Sequence, residues 1–114
     1  MSLKGRMAPA MSISTKLVLD GTTATAVTDA NAVALSGVYL WGACIQSFDK
    51  ITALTTLKIL DAGTTKLEFL VNTTATLPHA GVITFPRPIA INGALTVQHG
   101  QDSDIDWYFL YTEF

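Results

Sequence analysis

Apolar and polar residues alternate along most of this 114-residue chain, and no segment has the capped 3.6-residue spacing of an amphipathic helix. The sixteen threonines add β-branched side chains throughout, which pleated strands favour. Near the end of the chain, every second position places a bulky apolar residue on one face: Ile105, Trp107, Phe109 and Tyr111. About eight short strands predict an all-β protein, specifically an antiparallel β-sandwich of jelly-roll-like form.

Length and composition indicate one small domain that associates with partners. A mass of 12.2 kDa leaves room for one hydrophobic core. Charged residues make up 14% and apolar residues 49% of the chain, against roughly 25% charged residues in an average soluble domain. No apolar run approaches the roughly 18 residues of a membrane-spanning helix, and a net charge of −2 gives no basic surface for nucleic acid. We therefore expect apolar surface to be buried against protein partners.

The first residues differ from the rest and divide the chain into an irregular N-terminal arm (1–12) and a β-domain (13–114). No hydrophobic segment follows Lys4 and Arg6, so we predict no signal peptide. Cys44 is the single cysteine, which excludes an internal disulfide. Such an arm is either disordered or ordered only on a partner. Its candidate contact residues are Ser2, Leu3, Lys4, Arg6, Met7 and Met11.

Two segments predict how the strands are arranged in the first part of the domain. Residues 15–20 alternate before the turn Asp20-Gly21, and one or two short strands are expected within 22–36. Both faces of 38–48 are apolar, which predicts a central strand covered on both sides. One face would carry Tyr39, Trp41 and Ile45, and the other Val38, Leu40 and Cys44.

Turn residues predict the layout of the second part. Asp61-Ala62-Gly63-Thr64 would join strands 53–60 and 66–71 in a hairpin, with a loop over 72–80. Pro86-Arg87-Pro88 withholds backbone donors, which predicts an edge or a sheet-switching bend after the short strand 82–85. Asn92-Gly93 predicts a hairpin between 89–91 and 94–99. A last strand is expected over 104–112.

Candidate catalytic and metal-binding residues are few, and each has a plainer structural interpretation. Glu68 shares a strand face with Lys66, which is typical of a polar sheet surface rather than a pair of catalytic carboxylates. His79 and His99 are too few ligands for zinc, and Cys44 is typical of a small buried hydrophobic residue. No nucleophile elbow surrounds Ser12, Ser14, Ser36, Ser47 or Ser103. We predict neither an enzyme nor a bound metal or cofactor.

An acidic cluster precedes and overlaps the last strand. Asp102, Asp104, Asp106 and Glu113 approach the spacing of a calcium loop, but Trp107 stands where that loop needs glycine. Alternation instead favours a strand with its acidic face in solvent. Like charges at a sheet edge would also oppose aggregation.

The aromatic residues provide a candidate surface contact. Trp41 lies in the two-sided apolar strand and is typical of a buried sandwich tryptophan, whereas Trp107 is the better candidate for stacking on a sugar ring. Tyr108 and Phe114 are predicted to share this surface, with Tyr111 nearby. Polar neighbours for a bound glycan would be Asp104, Asp106 and Gln98.

The order of parts resembles a known class of virion proteins. An apolar strand with its turn (56–64) is followed by a second strand (67–71), a proline-bounded step (85–89), an Asn-Gly hairpin (92–97) and a final aromatic strand (107–111), with 38–47 as the preceding central strand. In this order, over about two-thirds of its length, the chain resembles small β-sandwich structural proteins of tailed bacteriophages.

The resemblance implies a virion component attached to the capsid or the tail, assembled in host cytoplasm, with no catalytic residue or cofactor. The leading hypothesis is a capsid decoration (cement) protein that forms a homo-oligomer, a trimer, and binds the major capsid protein through the arm 1–12. The alternative is a glycan- or receptor-binding module of the phage tail that uses exposed aromatics. Neither nucleic acid nor a membrane is an expected partner.

Overall fold

A computed structural model describes residues 11–50, 55–71 and 82–114, with side chains up to Ser47 in the first range. The described residues form antiparallel strands and no helix, which confirms the predicted all-β class. In chain order the strands are β1 (Ser12–Ile13), β2 (Leu17–Asp20), β3 (Thr25–Ala26), β4 (Ser36–Lys50), β5 (Thr56–Asp61), β6 (Thr64–Leu70), β7 (Val82–His99) and β8 (Asp104–Glu113).

One long strand joins two halves of the sheet. The strand order is β1-β8-β4-β7-β5-β6, with β2 also on β8 and β3 also on β7. The first part of β7 pairs with β4 and its last part with β5. We call β1, β2, β8, β4 and the start of β7 the β8 half, and the end of β7 with β3, β5 and β6 the β5 half. The β-sandwich arrangement and its jelly-roll-like form stay predictions.

A single hydrophobic cluster takes residues from both halves, so the sheet bends around one core. The predicted apolar face of the last strand is confirmed, because Ile105, Trp107 and Phe109 of β8 are each 0% exposed. Burial of such a side chain contributes roughly 1.5–3 kcal/mol. The β5 half supplies Leu57, Ile59, Leu95 and Val97 to the same cluster.

The central strand β4 is covered on one face only, which corrects the prediction of two covered faces. Leu40 pairs with Tyr111 and Gly42 with Leu110, so Trp41 is an extra residue, a β-bulge. A bulge shifts the alternation, and the predicted face groups are therefore wrong beyond residue 41. The buried residues are Val38, Leu40, Ala43 and Ile45, whereas Tyr39, Trp41 and Cys44 are at least partly exposed.

The bulge makes glycine necessary at position 42. A Cβ atom built there would lie 2.5 Å from the backbone oxygen of Ile83, which cannot move away as a side chain could. We expect Gly42→Ala to lower the free energy of unfolding by about 1–3 kcal/mol, as overpacking does. Urea denaturation measures the loss. Thr84→Ala, an exposed change on the neighbouring strand, should stay within about 0.5 kcal/mol of the original protein, and equal effects would contradict the steric explanation.

Asn92-Gly93 does not form the predicted hairpin, because β7 continues through it. Ser36 pairs with Ala94 and Val38 with Ile91, so Asn92 and Gly93 form an irregularity in the ladder. The Asp61 carboxylate accepts their backbone N–H groups at 3.0 and 2.7 Å. These two bonds, with a smaller contribution from Lys66, hold the pKa of Asp61 below its usual value. The distant carboxylate thereby fixes these two residues within the extended strand.

Pro86-Arg87-Pro88 lies in a second irregularity of β7. Thr84 pairs with Gly42 and Ile89 with Leu40, so residues 85–88 stand opposite Trp41 alone. Proline is tolerated here because this stretch leaves the regular ladder. The change of partner strand takes place later, beside Asn92-Gly93, and not at the prolines.

Several local predictions are confirmed. Strands β5 and β6 form the expected hairpin, and Ala62 and Gly63 have positive φ angles of 49° and 90°, as a two-residue type I′ turn requires. Strand β2 and the short strand β3 lie where strands were expected.

The boundary of the arm shifts, because Ser12 pairs with Tyr111 in β1 and the sheet begins inside the predicted arm 1–12. Met11 is 49% exposed. Other predictions lie outside the described residues: Ser2, Leu3, Lys4, Arg6 and Met7 of the arm, the loop 72–80 and His79.

Candidate functional site

The residue types of a hydrolytic triad meet where β7 ends and β8 begins, but their bonds are structural. His99 is 1% exposed, and its Nε2 accepts the indole N–H of Trp107 at 3.1 Å. Because indole can only donate, Nδ1 carries the proton. It donates to the backbone oxygen of Ser103 at 2.9 Å and to that of Gly21 at 3.2 Å.

The remaining contacts of this cluster also differ from those of a triad. The Ser103 hydroxyl bonds to the Thr55 hydroxyl, while His99 contacts the backbone of Ser103. The Asp104 carboxylate accepts the backbone N–H of Gly21 at 3.2 Å. A triad needs a base that faces the nucleophile and a carboxylate that faces the base. Hydrogen bonds in this cluster instead connect the turn after β2 to the last residue of β7 and to the start of β8.

Stability should therefore depend on pH through His99. Burial lowers the pKa of this imidazole below its ordinary value of 6.5, whereas the bonds to Gly21 and Ser103 and the charges of Asp104 and Asp20 act in the opposite direction. As the pH falls below about 6.5, the unfolded chain binds a proton that the folded chain does not. The free energy of unfolding is then greatest above that pH and declines between about pH 7 and pH 5.5.

Urea denaturation across this pH range measures the effect. His99→Gln should remove the decline between about pH 7 and pH 5.5 while lowering stability overall, because glutamine does not titrate. His79→Gln is the matched control and should keep the decline. An unchanged decline in His99→Gln would contradict the assignment.

Asp104 and Asp106 lie on the outer face of β8, as predicted for a solvated strand. Asp106 accepts the Ser47 hydroxyl at 3.1 Å and lies 3.8 Å from the Lys16 ammonium. Strand β8 is not at an edge, because β4 pairs on one side and β1 and β2 on the other, so the proposed role of these charges in protecting an edge is wrong. Within the described ranges, no three His, Cys, Asp or Glu side chains are placed to share a metal ion.

The two tryptophans show the opposite of their predicted exposure: Trp107 is buried and Trp41 is partly exposed. Trp107 is 0% exposed and its ring lies 5.9 Å from that of Phe109, so it cannot stack on a glycan. Its neighbours Asp104 and Asp106 belong to the opposite face of the strand. Trp41 is only half-buried, and its indole N–H donates to the Thr112 hydroxyl at 2.9 Å. The glycan-binding alternative therefore loses its central residue.

An exposed apolar surface lies on the outer side of the β8 half. The register places Val82, Cys44 and Tyr108 side by side across β7, β4 and β8, with Leu110 beside Ile13 of β1. These five residues line an open cavity of ≈ 330 Å³. Ile13 is 60% and Val82 63% exposed. We call these five residues the outer apolar face.

The surroundings of the outer apolar face resemble those of a protein interface. None of its five residues carries a formal charge at neutral pH. Polar groups border the face on one side, where Asp106 of β8 interacts with Ser47 of β4 and with Lys16. On the other side, the exposed rings of Tyr39 and Phe114 pack 4.8 Å apart. An apolar centre bordered by polar groups and exposed aromatic rings is typical of interaction surfaces.

Sequence reasoning found only part of this surface. It named Tyr108 and Phe114, of which Phe114 is 61% exposed, and it placed Cys44 in the interior although that residue is partly exposed. It did not name Ile13, Val82 or Leu110. The available signal was the even-numbered face of β8, where Tyr108 and Leu110 interrupt the polar pattern.

Comparison with known proteins gives no relative. No protein-family model matches the sequence, and no curated protein and no solved structure gives a significant match. The described residues include no helix with the length and apolarity that a membrane crossing requires.

Proposed function

We propose that this chain is a structural assembly protein that associates with copies of itself through the outer apolar face. The observation that carries the proposal is a contiguous, uncharged apolar surface across four neighbouring strands. A chain with only 14% charged residues offers few groups that would oppose such a contact. A second copy fits this surface because it brings the same uncharged apolar residues, and a specific contact needs about 800 Å² per partner.

We further propose that it acts in a phage virion as a capsid decoration (cement) protein, with the major capsid protein as its second partner. The resemblance to small phage β-sandwich proteins supports this role, and the hairpin β5–β6 and the strand β8 are parts of that resemblance. The Asn92-Gly93 hairpin, another part, is absent because β7 continues through those residues. The mechanism is adhesive: a protein that binds only the assembled shell stabilises it by mass action.

Self-association is tested by size-exclusion chromatography with light scattering. The expected mass is a multiple of the 12.2 kDa chain, and a trimer is the assembly expected of the proposed decoration protein. Light scattering also distinguishes a trimer from a two-fold dimer. A monomer at about 100 μM would contradict self-association, because specific protein contacts hold well below that concentration.

Cys44 allows the face itself to be tested, since it is the only cysteine and lies within the outer apolar face. A bulky maleimide attached to the unfolded, reduced chain should prevent association after refolding, because the label occupies the contact. A methylthio group at the same sulfur is the matched control and should leave the oligomer intact. If the protein with the bulky label still forms oligomers of normal mass, the contact between copies lies outside the outer apolar face.

The decoration role needs a separate experiment on capsids. Deletion of residues 2–10 leaves β1 complete and should leave a folded oligomer that no longer sediments with empty capsids. Sedimentation equal to that of the full chain would exclude the arm as the capsid-binding element. Failure of the full chain to bind would contradict the decoration role while leaving self-association standing.

A further inference from the structure

Among the described strands, β6 forms an edge of the β5 half, and a cleft lies beside it. Strand β6 is last in the strand order and pairs only with β5 among the described strands. A cavity of ≈ 310 Å³ lies between this strand and residues 85–89 of β7. Its lining residues are Lys66, Leu67, Phe85, Pro86, Arg87 and Ile89.

The walls of the cleft are apolar and partly ordered by the core. Leu67, Phe85 and Ile89 are half-buried and pack against the hydrophobic cluster. The Phe85 ring lies 6.1 Å from that of Phe69, the next inward-facing residue of β6. Pro86 and Arg87, which lie in the irregular stretch of β7 and border the cleft, are exposed. The cleft therefore offers an ordered apolar surface to small apolar side chains of a ligand.

The rim of the cleft is positively charged. Lys66 and Arg87 both line it and are exposed, and none of the described carboxylates lines it. Lys66 interacts electrostatically with Asp61, whose carboxylate is bound by the N–H groups of Asn92 and Gly93. In the described part of the chain, no acidic side chain forms an ion pair with Arg87. Glu68 accepts the Thr56 hydroxyl at 2.7 Å and does not line the cleft.

We propose that this cleft binds an extended peptide segment of another protein, which adds to the edge of β6 and carries carboxylates between apolar side chains. A strand added to a free edge gains main-chain hydrogen bonds, and alternate side chains face the same side. Apolar side chains opposite Leu67 and Phe69 would enter the cleft. A carboxylate opposite Lys66 would meet its ammonium, whereas the position opposite Glu68 requires a neutral residue, because Glu68 lies on the same face of β6 as Lys66. Arg87 supplies the second cation. The site lies on the β5 half and does not depend on the outer apolar face.

Fluorescence anisotropy with the full chain tests the site. The probe is a labelled octapeptide in which valine alternates with glutamate, with glutamine at the position that faces Glu68. The comparison peptides replace glutamate by lysine or methylate alternate backbone nitrogens. The valine–glutamate peptide should bind, with weaker binding at about 500 mM than at about 50 mM salt because exposed charges are screened. The lysine peptide should not bind, and the N-methylated peptide should bind at least about tenfold more weakly because it cannot pair.

Variants separate the cleft from general charge attraction. Lys66→Gln combined with Arg87→Gln should weaken binding about three- to tenfold, the range expected for two exposed ion pairs. Lys58→Gln on β5 removes a cation that does not line the cleft, and it should leave the affinity unchanged. Amide NMR shifts should concentrate in β6 and in residues 85–89.

Three results would overturn the proposal. They are no binding of the valine–glutamate peptide at about 1 mM, equal binding of the lysine peptide, and NMR shifts confined to residues outside β6 and 85–89. None of these results bears on the mass of the oligomer. Failure of this site is therefore distinguishable from failure of the proposed self-association.

Discussion

Replacing Trp107 by alanine is expected to lower the free energy of unfolding by about 3–5 kcal/mol, as removal of a buried aromatic side chain does. The residue is 0% exposed, stacks on Phe109, and donates its indole N–H to His99. The substitution leaves a cavity and deprives the buried Nε2 of His99 of its donor. Since domains of this size are stable by roughly 5–15 kcal/mol, a large part of the total stability would be lost in urea denaturation.

Two further variants separate the contributions at this position. Trp107→Phe keeps most of the ring packing but removes the N–H donor, and we expect a loss of about 1–3 kcal/mol from the unsatisfied imidazole nitrogen. Trp41→Ala is the matched control, because its indole is half-buried and bonds only at the surface to Thr112. Equal losses for Trp107→Ala and Trp41→Ala would contradict the different burial of the two rings.

Replacing Leu110 by glutamate is expected to convert the oligomer to monomers. Leu110 lies in the outer apolar face, and association would bury the new carboxylate without a cation opposite. An uncompensated buried charge costs several kcal/mol, which weakens association by more than about 100-fold. Light scattering at the concentration at which the original protein is oligomeric measures the change.

The control for this prediction is Leu70→Glu. Leu70 is 62% exposed on β6 and does not line the outer apolar face, so the same change of charge should leave the oligomer intact. Circular dichroism should show native strand content for both variants, because each side chain is directed away from the core. If the Leu110→Glu protein is folded and still oligomeric, the contact between copies lies on another surface.

The two surfaces have different physical characters and are suited to different partners. The outer apolar face has no formal charge, so a copy of the same chain covers it without electrostatic cost. The cleft beside β6 carries Lys66 and Arg87 at its rim, and it therefore favours an acidic segment of another chain. A protein that oligomerises through the first surface leaves the second free. Such an oligomer would hold several peptide segments at once.

Local chemistry accounts for what could be predicted along the chain. The alternation of β8 places Ile105, Trp107 and Phe109 on one face whatever the neighbouring strands are, because side chains of a strand alternate. The turn Ala62-Gly63 joins β5 and β6 because two adjacent residues there adopt positive φ angles. Low charge and high apolar content predicted exposed apolar surface. They did not say which strands would carry it.

From the sequence alone, strand patterns and β-branched residues along the chain therefore determined the all-β class, and the alternation of β8 determined which of its residues are buried, Trp107 among them. Only the tertiary structure decided the rest. A bulge at Trp41 reverses which residues of β4 face the core, and its position depends on the register with β7 and β8. Asn92-Gly93 stays extended because Asp61, 31 residues away, accepts its N–H groups. Both outcomes rest on partners distant in sequence, and a local pattern contains no information about such partners.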